Sequence, residues 1–126
     1  MRRITAVQIN VDDLDKAIDF YVDKLGFDVE TKRYYPQSVK LAQPHFSLLL
    51  YKVNDSSRLE YPSAARVLVN VETDDLDRDI AGLLAQDVEV IHPEPVRCPV
   101  GRYAAVRDPA GNVLELIEYD QQVLAG

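Results

Sequence analysis

Hydrophobic and polar positions alternate from the start of the chain. Val7, Ile9 and Val11 fall on one side of an extended strand, with Ala6, Gln8 and Asn10 on the other. The same alternation returns half a chain later, where Val67, Val69 and Val71 interleave with Arg66, Leu68 and Asn70. After each strand the period lengthens to that of a helix. Leu14, Ala17, Ile18, Tyr21 and Leu25 mark one face of the first helix before Gly26 ends it, and Leu76, Ile80, Leu83 and Leu84 mark the second. Asp12 or Asp13 is placed to cap the first helix, and Thr73 or Asp74 the second. The all-aliphatic row of each strand is expected to pack on its helix, leaving the mixed row to face elsewhere.

The two stretches are copies. Asn10-Val11 recurs as Asn70-Val71, and Asp12-Asp13-Leu14-Asp15-Lys16 recurs as Asp74-Asp75-Leu76-Asp77-Arg78, with Glu72-Thr73 inserted between the two matches. Three short strands are expected after each helix: Phe27–Arg33, Ser38–Ala42 and Phe46–Lys52 in the first half, then Val88–Ile91, Tyr103–Arg107 and Val113–Tyr119 in the second. The turn Asp108-Pro109-Ala110-Gly111-Asn112 leads into the last of them. The pattern predicts an α+β fold of two tandem βαβββ modules, forming a curved mixed sheet around a cleft. Module 1 covers about 1–53, a polar linker about 54–64, module 2 about 65–120, and a short C-terminal tail follows, all as one domain of the 126-residue chain.

Composition narrows the partners. A formal charge of −7 argues against nucleic acid, which needs a basic face. Acidity favours a cationic small molecule only weakly, because a solvated acidic surface explains it as well. No apolar run approaches the roughly 20 residues that span a bilayer. The N-terminus lacks the apolar core and cleavage site of a secretory signal, and the single cysteine, Cys98, has no internal disulfide partner. A cytoplasmic protein is expected, with no membrane partner.

With its duplicated unit, "FYVDKLGF" early and "DPAGNVLELIE" late, the chain resembles the vicinal oxygen chelate superfamily over about Arg3 to Tyr119. Members include glyoxalase I, methylmalonyl-CoA epimerase, fosfomycin-resistance enzymes, extradiol dioxygenases and metal-free bleomycin-resistance proteins. The resemblance implies the paired-module fold and a homodimer. It leaves the chemistry open, since one fold hosts several activities. Metal-dependent members bind a divalent ion through residues on the first and last strands of each unit. Carried over to this chain, those positions fall at Ala6, Leu48, Arg66 and Glu115. Only Glu115 is a family ligand. Ala6 and Leu48 have no donor, and an arginine does not ligate a divalent metal. Gln8 is the nearby substitute for Ala6, while His45 and His92 read better as ordinary solvated or hydrogen-bonded histidines.

The expected ligand-binding cleft therefore comprises Gln8, Asn10, Leu48, Leu50, Arg66, Leu68, Asn70, Tyr103 and Glu115, with no metal and no other cofactor. Phe46, Val113 and Ile117 extend its apolar wall, and Tyr34, Tyr35, Tyr61 and Tyr103 are placed to rim it. Arg66 and Glu115 are expected to form an ion pair, which is equally an ordinary compensated charge. Cys98, although beside Arg97, has no imidazole held against it and reads as structural. The leading functional expectation is a metal-free small-molecule-binding protein similar to bleomycin-resistance-type sequestration proteins. The alternative is a metal-dependent glyoxalase-like lyase, isomerase or dioxygenase using a divalent metal on displaced ligands.

Overall fold

In a computed structural model, the structure describes residues 4–54, 61–62 and 67–122. The chain divides into two compact units: Met1–Arg58 with Pro109–Gly111, and Leu59–Asp108 with Asn112–Gly126. The first contains β1 (Ala6–Val11), α1 (Leu14–Ile18), β2 (Val29–Thr31), β3 (Ser38–Leu41) and β4 (Ser47–Lys52). The second contains β5 (Val69–Glu72), α2 (Leu76–Ala85), β6 (Val96–Cys98), β7 (Gly101–Arg107) and β8 (Val113–Tyr119). Each is a four-stranded mixed sheet of the same order, β1-β4-β3-β2 and β5-β8-β7-β6, with its first and last strands parallel. This is the tandem βαβββ arrangement that the repeat predicts.

Duplication extends to the helix caps. Asp13 accepts a hydrogen bond from the Lys16 backbone N–H at 3.1 Å, and Asp75 accepts one from the Arg78 N–H at the same distance. Each carboxylate satisfies a backbone donor that the first helical turn leaves without a partner. Asp75, rather than the expected Thr73 or Asp74, therefore caps α2. Thr73 instead donates its hydroxyl to the Asp79 carboxylate and accepts from the Asp75 N–H.

Helix α1 does not continue as an α-helix. Asp19–Lys24 form a π-helical stretch, with the Leu25 N–H bonded to the Phe20 carbonyl at 2.9 Å. The wider turn buries the consecutive residues Phe20 and Tyr21 together, their rings in edge contact at 5.0 Å. A regular 3.6-residue period accounts for Tyr21 but not for Phe20. Gly26 follows at φ 84, where a side chain would be strained.

Strand pairing fixes which residues meet the helices. In the first unit, Val7 pairs with Leu48, Ile9 with Leu50, Leu41 with Leu48 and Val39 with Leu50. Paired residues point to the same face, and Ile9, Val11, Val39, Leu41, Leu48 and Leu50 are all buried there. Leu48 and Leu50 are thus core residues, which corrects their expected place beside Gln8 and Asn10. On the opposite row, Ser47 pairs with Ala6, Leu49 with Gln8 and Tyr51 with Asn10.

In the second unit Leu76, Ile80 and Leu83 of α2 are buried, as are Ala104, Val106, Leu114 and Leu116 of the sheet. Leu84 is 46% exposed and lies outside that stripe. The strand expected at Val88–Ile91 reduces to one bridge, Val90 with Val106. Pro93 and Pro95 interrupt this segment, and regular pairing with β7 resumes only at Val96.

Helix α2 is also tied to the sheet electrostatically. Glu118, on the helix-facing row of β8, accepts from the Leu76 N–H at 3.0 Å and from Arg102 at 2.9 Å. The Leu76 N–H and then the Arg102 guanidinium hold its carboxyl below the ordinary value of 4.5.

Two outcomes follow from these placements. Leu48→Ala should lower the unfolding free energy in urea by about 2–5 kcal/mol, while Leu49→Ala costs about 1 kcal/mol or less. Exchanged effects would mean that the β4 faces are inverted. For Glu118, the folded state keeps the carboxylate ionised where the unfolded chain has already taken up a proton. Its contribution is therefore present above the ordinary carboxylate range and disappears on acidification through the depressed value. Glu118→Gln should flatten the acid limb of a stability–pH profile, and an unchanged limb would remove that role.

Candidate functional site

The sheet faces without a helix present the polar residues picked out in the sequence. In the first unit, the row of Ala6, Gln8 and Asn10 is exposed, and the Gln8 amide donates to the Asn10 side-chain oxygen at 2.8 Å. Its neighbours on β4 are Ser47, Leu49 and Tyr51, none of them a carboxylate. Phe46 and His45 precede β4, and His45 is exposed with φ 72, so the parity of a regular strand does not govern it.

More chemistry is concentrated on the second sheet. Glu115 of β8 lies opposite Asn70 on β5 and Ala105 on β7. Tyr103 pairs with Ile117 on the same row, one pleat away from Glu115. Leu68 precedes β5 and is half-buried, while Asn70 is exposed. Asn70, Tyr103 and Glu115 are thus brought to one face. Gln8 and Asn10 belong to the other unit's sheet, and Leu48 and Leu50 to that unit's core. Arg66, and with it the expected pair with Glu115, lies outside the described residues.

Instead, the Tyr61 hydroxyl donates to Glu115 Oε2 at 2.7 Å. Burial, and then the hydrogen bond to the Glu115 carboxylate, push this phenol well above its ordinary value of 10, with the Tyr103 hydroxyl contributing in the same direction. Tyr61 therefore remains a neutral donor. Of the four tyrosines placed at the rim from the sequence, Tyr61 and Tyr103 reach this cluster. Tyr34 and Tyr35 belong to the first unit, where the Tyr35 hydroxyl donates to Asp15 at 2.7 Å.

His92 completes the aromatic group. Its ring makes edge contacts with Tyr61 at 5.7 Å and Tyr103 at 5.6 Å. Its Nδ1 accepts the Ala105 backbone N–H at 3.0 Å. Ala105 already gives its carbonyl to the Ile91 N–H at 2.8 Å. The imidazole thus replaces a ladder acceptor where the proline-rich segment leaves β7, and that bond requires Nδ1 to carry no proton.

This donor set does not fit a divalent ion. Glu115 is one strong ligand, Asn70 and Ala105 flank it, and the His92 Nδ1 lone pair is engaged. Among the described residues, no group of three or more His, Cys, Asp or Glu side chains is arranged so that it could hold a metal ion. Cys98 on β6 is a half-buried free thiol.

Comparison with known proteins agrees with this architecture. The model of the Glyoxalase/Bleomycin resistance protein/Dioxygenase superfamily matches residues 3–116, and the chain belongs to that superfamily. TnmS3, an antibiotic binding protein from Streptomyces sp. CB03234, is 28% identical with a TM-score of 0.72, over 95% of this chain and 98% of that one. Lactoylglutathione lyase from Agrobacterium tumefaciens is 28% identical with a TM-score of 0.68, over 94% of each chain. A protein of unassigned function from Shewanella frigidimarina (strain NCIMB 400) is 28% identical across 94% of this chain and 95% of its own length. No helix among the described residues is long and apolar enough to cross a membrane.

The Tyr61–Glu115 bond is open to a direct check. In an alkaline absorbance titration, Tyr61→Phe should leave the tyrosinate signal gained around the ordinary phenol value of 10 unchanged, because Tyr61 ionises above it. A drop equal to one tyrosine in that range would show that the hydroxyl is free of Glu115.

Proposed function

We propose that this chain is a metal-free small-molecule-binding protein of its superfamily, holding an organic ligand without transforming it. The observation that carries this reading is the state of Glu115. At the one family ligand position that keeps a carboxylate, that carboxylate is bound by a neutral tyrosine hydroxyl and flanked by Asn70 and Ala105. Ala6 and Arg66 supply no metal ligand at two further positions, and the β4 row beside Gln8 supplies no carboxylate. A metal-dependent lyase needs more donors than these to fix an ion and polarise its substrate.

Similarity to an antibiotic binding protein across nearly the whole chain supports the same reading. An equal identity to lactoylglutathione lyase keeps the enzymatic alternative as the competitor to be tested. On this reading the protein acts in the cytoplasm, consistent with its lone cysteine, and works as the homodimer that its family resemblance implies.

Elemental analysis of protein prepared without chelator or affinity metal should find less than stoichiometric Ni, Zn, Fe and Mn. Divalent ions should leave the melting temperature unmoved. Equilibrium dialysis against a panel of antibiotics and aromatic metabolites should find a saturable ligand that is recovered intact. Stoichiometric metal, or a compound recovered chemically changed, would overturn the proposal.

A further inference from the structure

We infer that the Glu115 face takes a ligand carrying a protonated nitrogen on or beside an aromatic ring, an inference that rests on the small-molecule-binding reading above. Residues 67–122 contain no lysine, and their four arginines are Arg78, Arg97, Arg102 and Arg107. Each is committed to another carboxylate: Arg78 to Asp79, Arg97 to Asp120, Arg102 to Asp77 and Glu118, and Arg107 to Glu89. Glu115 receives the Tyr61 hydroxyl and, among the described residues, no cation. A neutral donor leaves the negative charge of the carboxylate in place.

The surroundings of that charge are aromatic. Tyr61, His92 and Tyr103 form a continuous edge-to-face group, with Ile117 beside Tyr103 on the sheet. An aromatic group next to a carboxylate that meets no cation among the described residues is complementary to a flat cation. Its nitrogen would donate to Glu115 in a charge-assisted bond, while its ring lies against the tyrosines. The formal charge of −7 adds attraction at longer range. A neutral or anionic ring would leave Glu115 without a cation and so bind more weakly.

Ring shape can be held nearly constant while charge is changed. Protonated 4-aminoquinoline and neutral quinoline at neutral pH are the probes, with binding followed by chemical-shift perturbation of backbone amides. The cation should bind roughly 10- to 100-fold more tightly, with shifts centred on Asn70, Ala105 and Glu115. Glu115→Gln should abolish that preference. Glu30→Gln, which removes the same charge from an exposed position in the first module, should retain it. Because the comparison of the two probes is made on the unaltered protein, it stands even if the Glu115 variant folds poorly.

Equal binding of both probes, the result expected if a cation of the chain such as Arg66 already serves Glu115, would overturn the inference. So would binding of neither probe, or shifts confined to the first module. In each of these cases a neutral ligand found by dialysis would still uphold the broader small-molecule-binding reading.

Discussion

A sheet covered by a helix on one face only imposes a two-residue rule on every strand that crosses it, and the rest of this molecule follows from that rule. Alternate residues either join the core against α1 or α2 or face away from it. Strand β8 shows the consequence most clearly, because its two carboxylates, Glu115 and Glu118, have opposite parity. Glu118 points to the helix side, where it receives the Leu76 N–H and the Arg102 guanidinium and fastens the start of α2. Glu115 points to the opposite side, where Ala105, Val113 and Ile117 are themselves buried, and among the described residues it meets the Tyr61 hydroxyl. The first is consumed by folding, and the second is left on the face that carries Asn70, Tyr61 and Tyr103.

Duplication shows which features the fold itself needs. The caps Asp13 and Asp75 repeat with the same hydrogen bond, as do the sheet order and the parallel pairing of first and last strands. What does not repeat is the open face. In the first module the paired side chains of Gln8 and Asn10 sit opposite Leu49 and Tyr51, whereas in the second Asn70 sits opposite Glu115. The helices diverge as well, since α1 runs into the π-helical stretch Asp19–Lys24 whereas α2 stays α-helical through Ala85.

The repeat, both helices, the sheet type and the aliphatic rows were legible because each rests on local periodicity or capping chemistry. The misplacement of Leu48 and Leu50 has a specific cause. Ser47-Leu48-Leu49-Leu50 carries three leucines in succession, so its pattern does not reveal which parity faces the helix, and only pairing with β1 decides it. Phe20 was missed because a π-helical turn departs from the 3.6-residue period. The shift of a strand from Val88–Ile91 to Val96–Cys98 reflects Pro93 and Pro95, which leave the bridge at Val90 isolated. The Tyr61–Glu115 bond joins residues 54 apart, and no local signal announces such a contact.

The identity of the group bound to Glu115 decides what its face can recognise. A guanidinium bound to Glu115 would neutralise the carboxylate, and displacing it would leave two charges to be solvated or paired anew. A tyrosine hydroxyl orients the carboxylate yet preserves its charge, and a typical hydrogen bond of this kind contributes a net 0.5–3 kcal/mol or so, within reach of what an incoming cation supplies. Tyr61 is held protonated by the same burial and the same carboxylate, so it remains a donor across the ordinary pH range. His92, fixed through Nδ1 to the Ala105 N–H, holds its ring against both tyrosines. Glu115 thereby stands as an oriented carboxylate among aromatic rings, its direction set by Tyr61 and its surroundings by His92 and Tyr103.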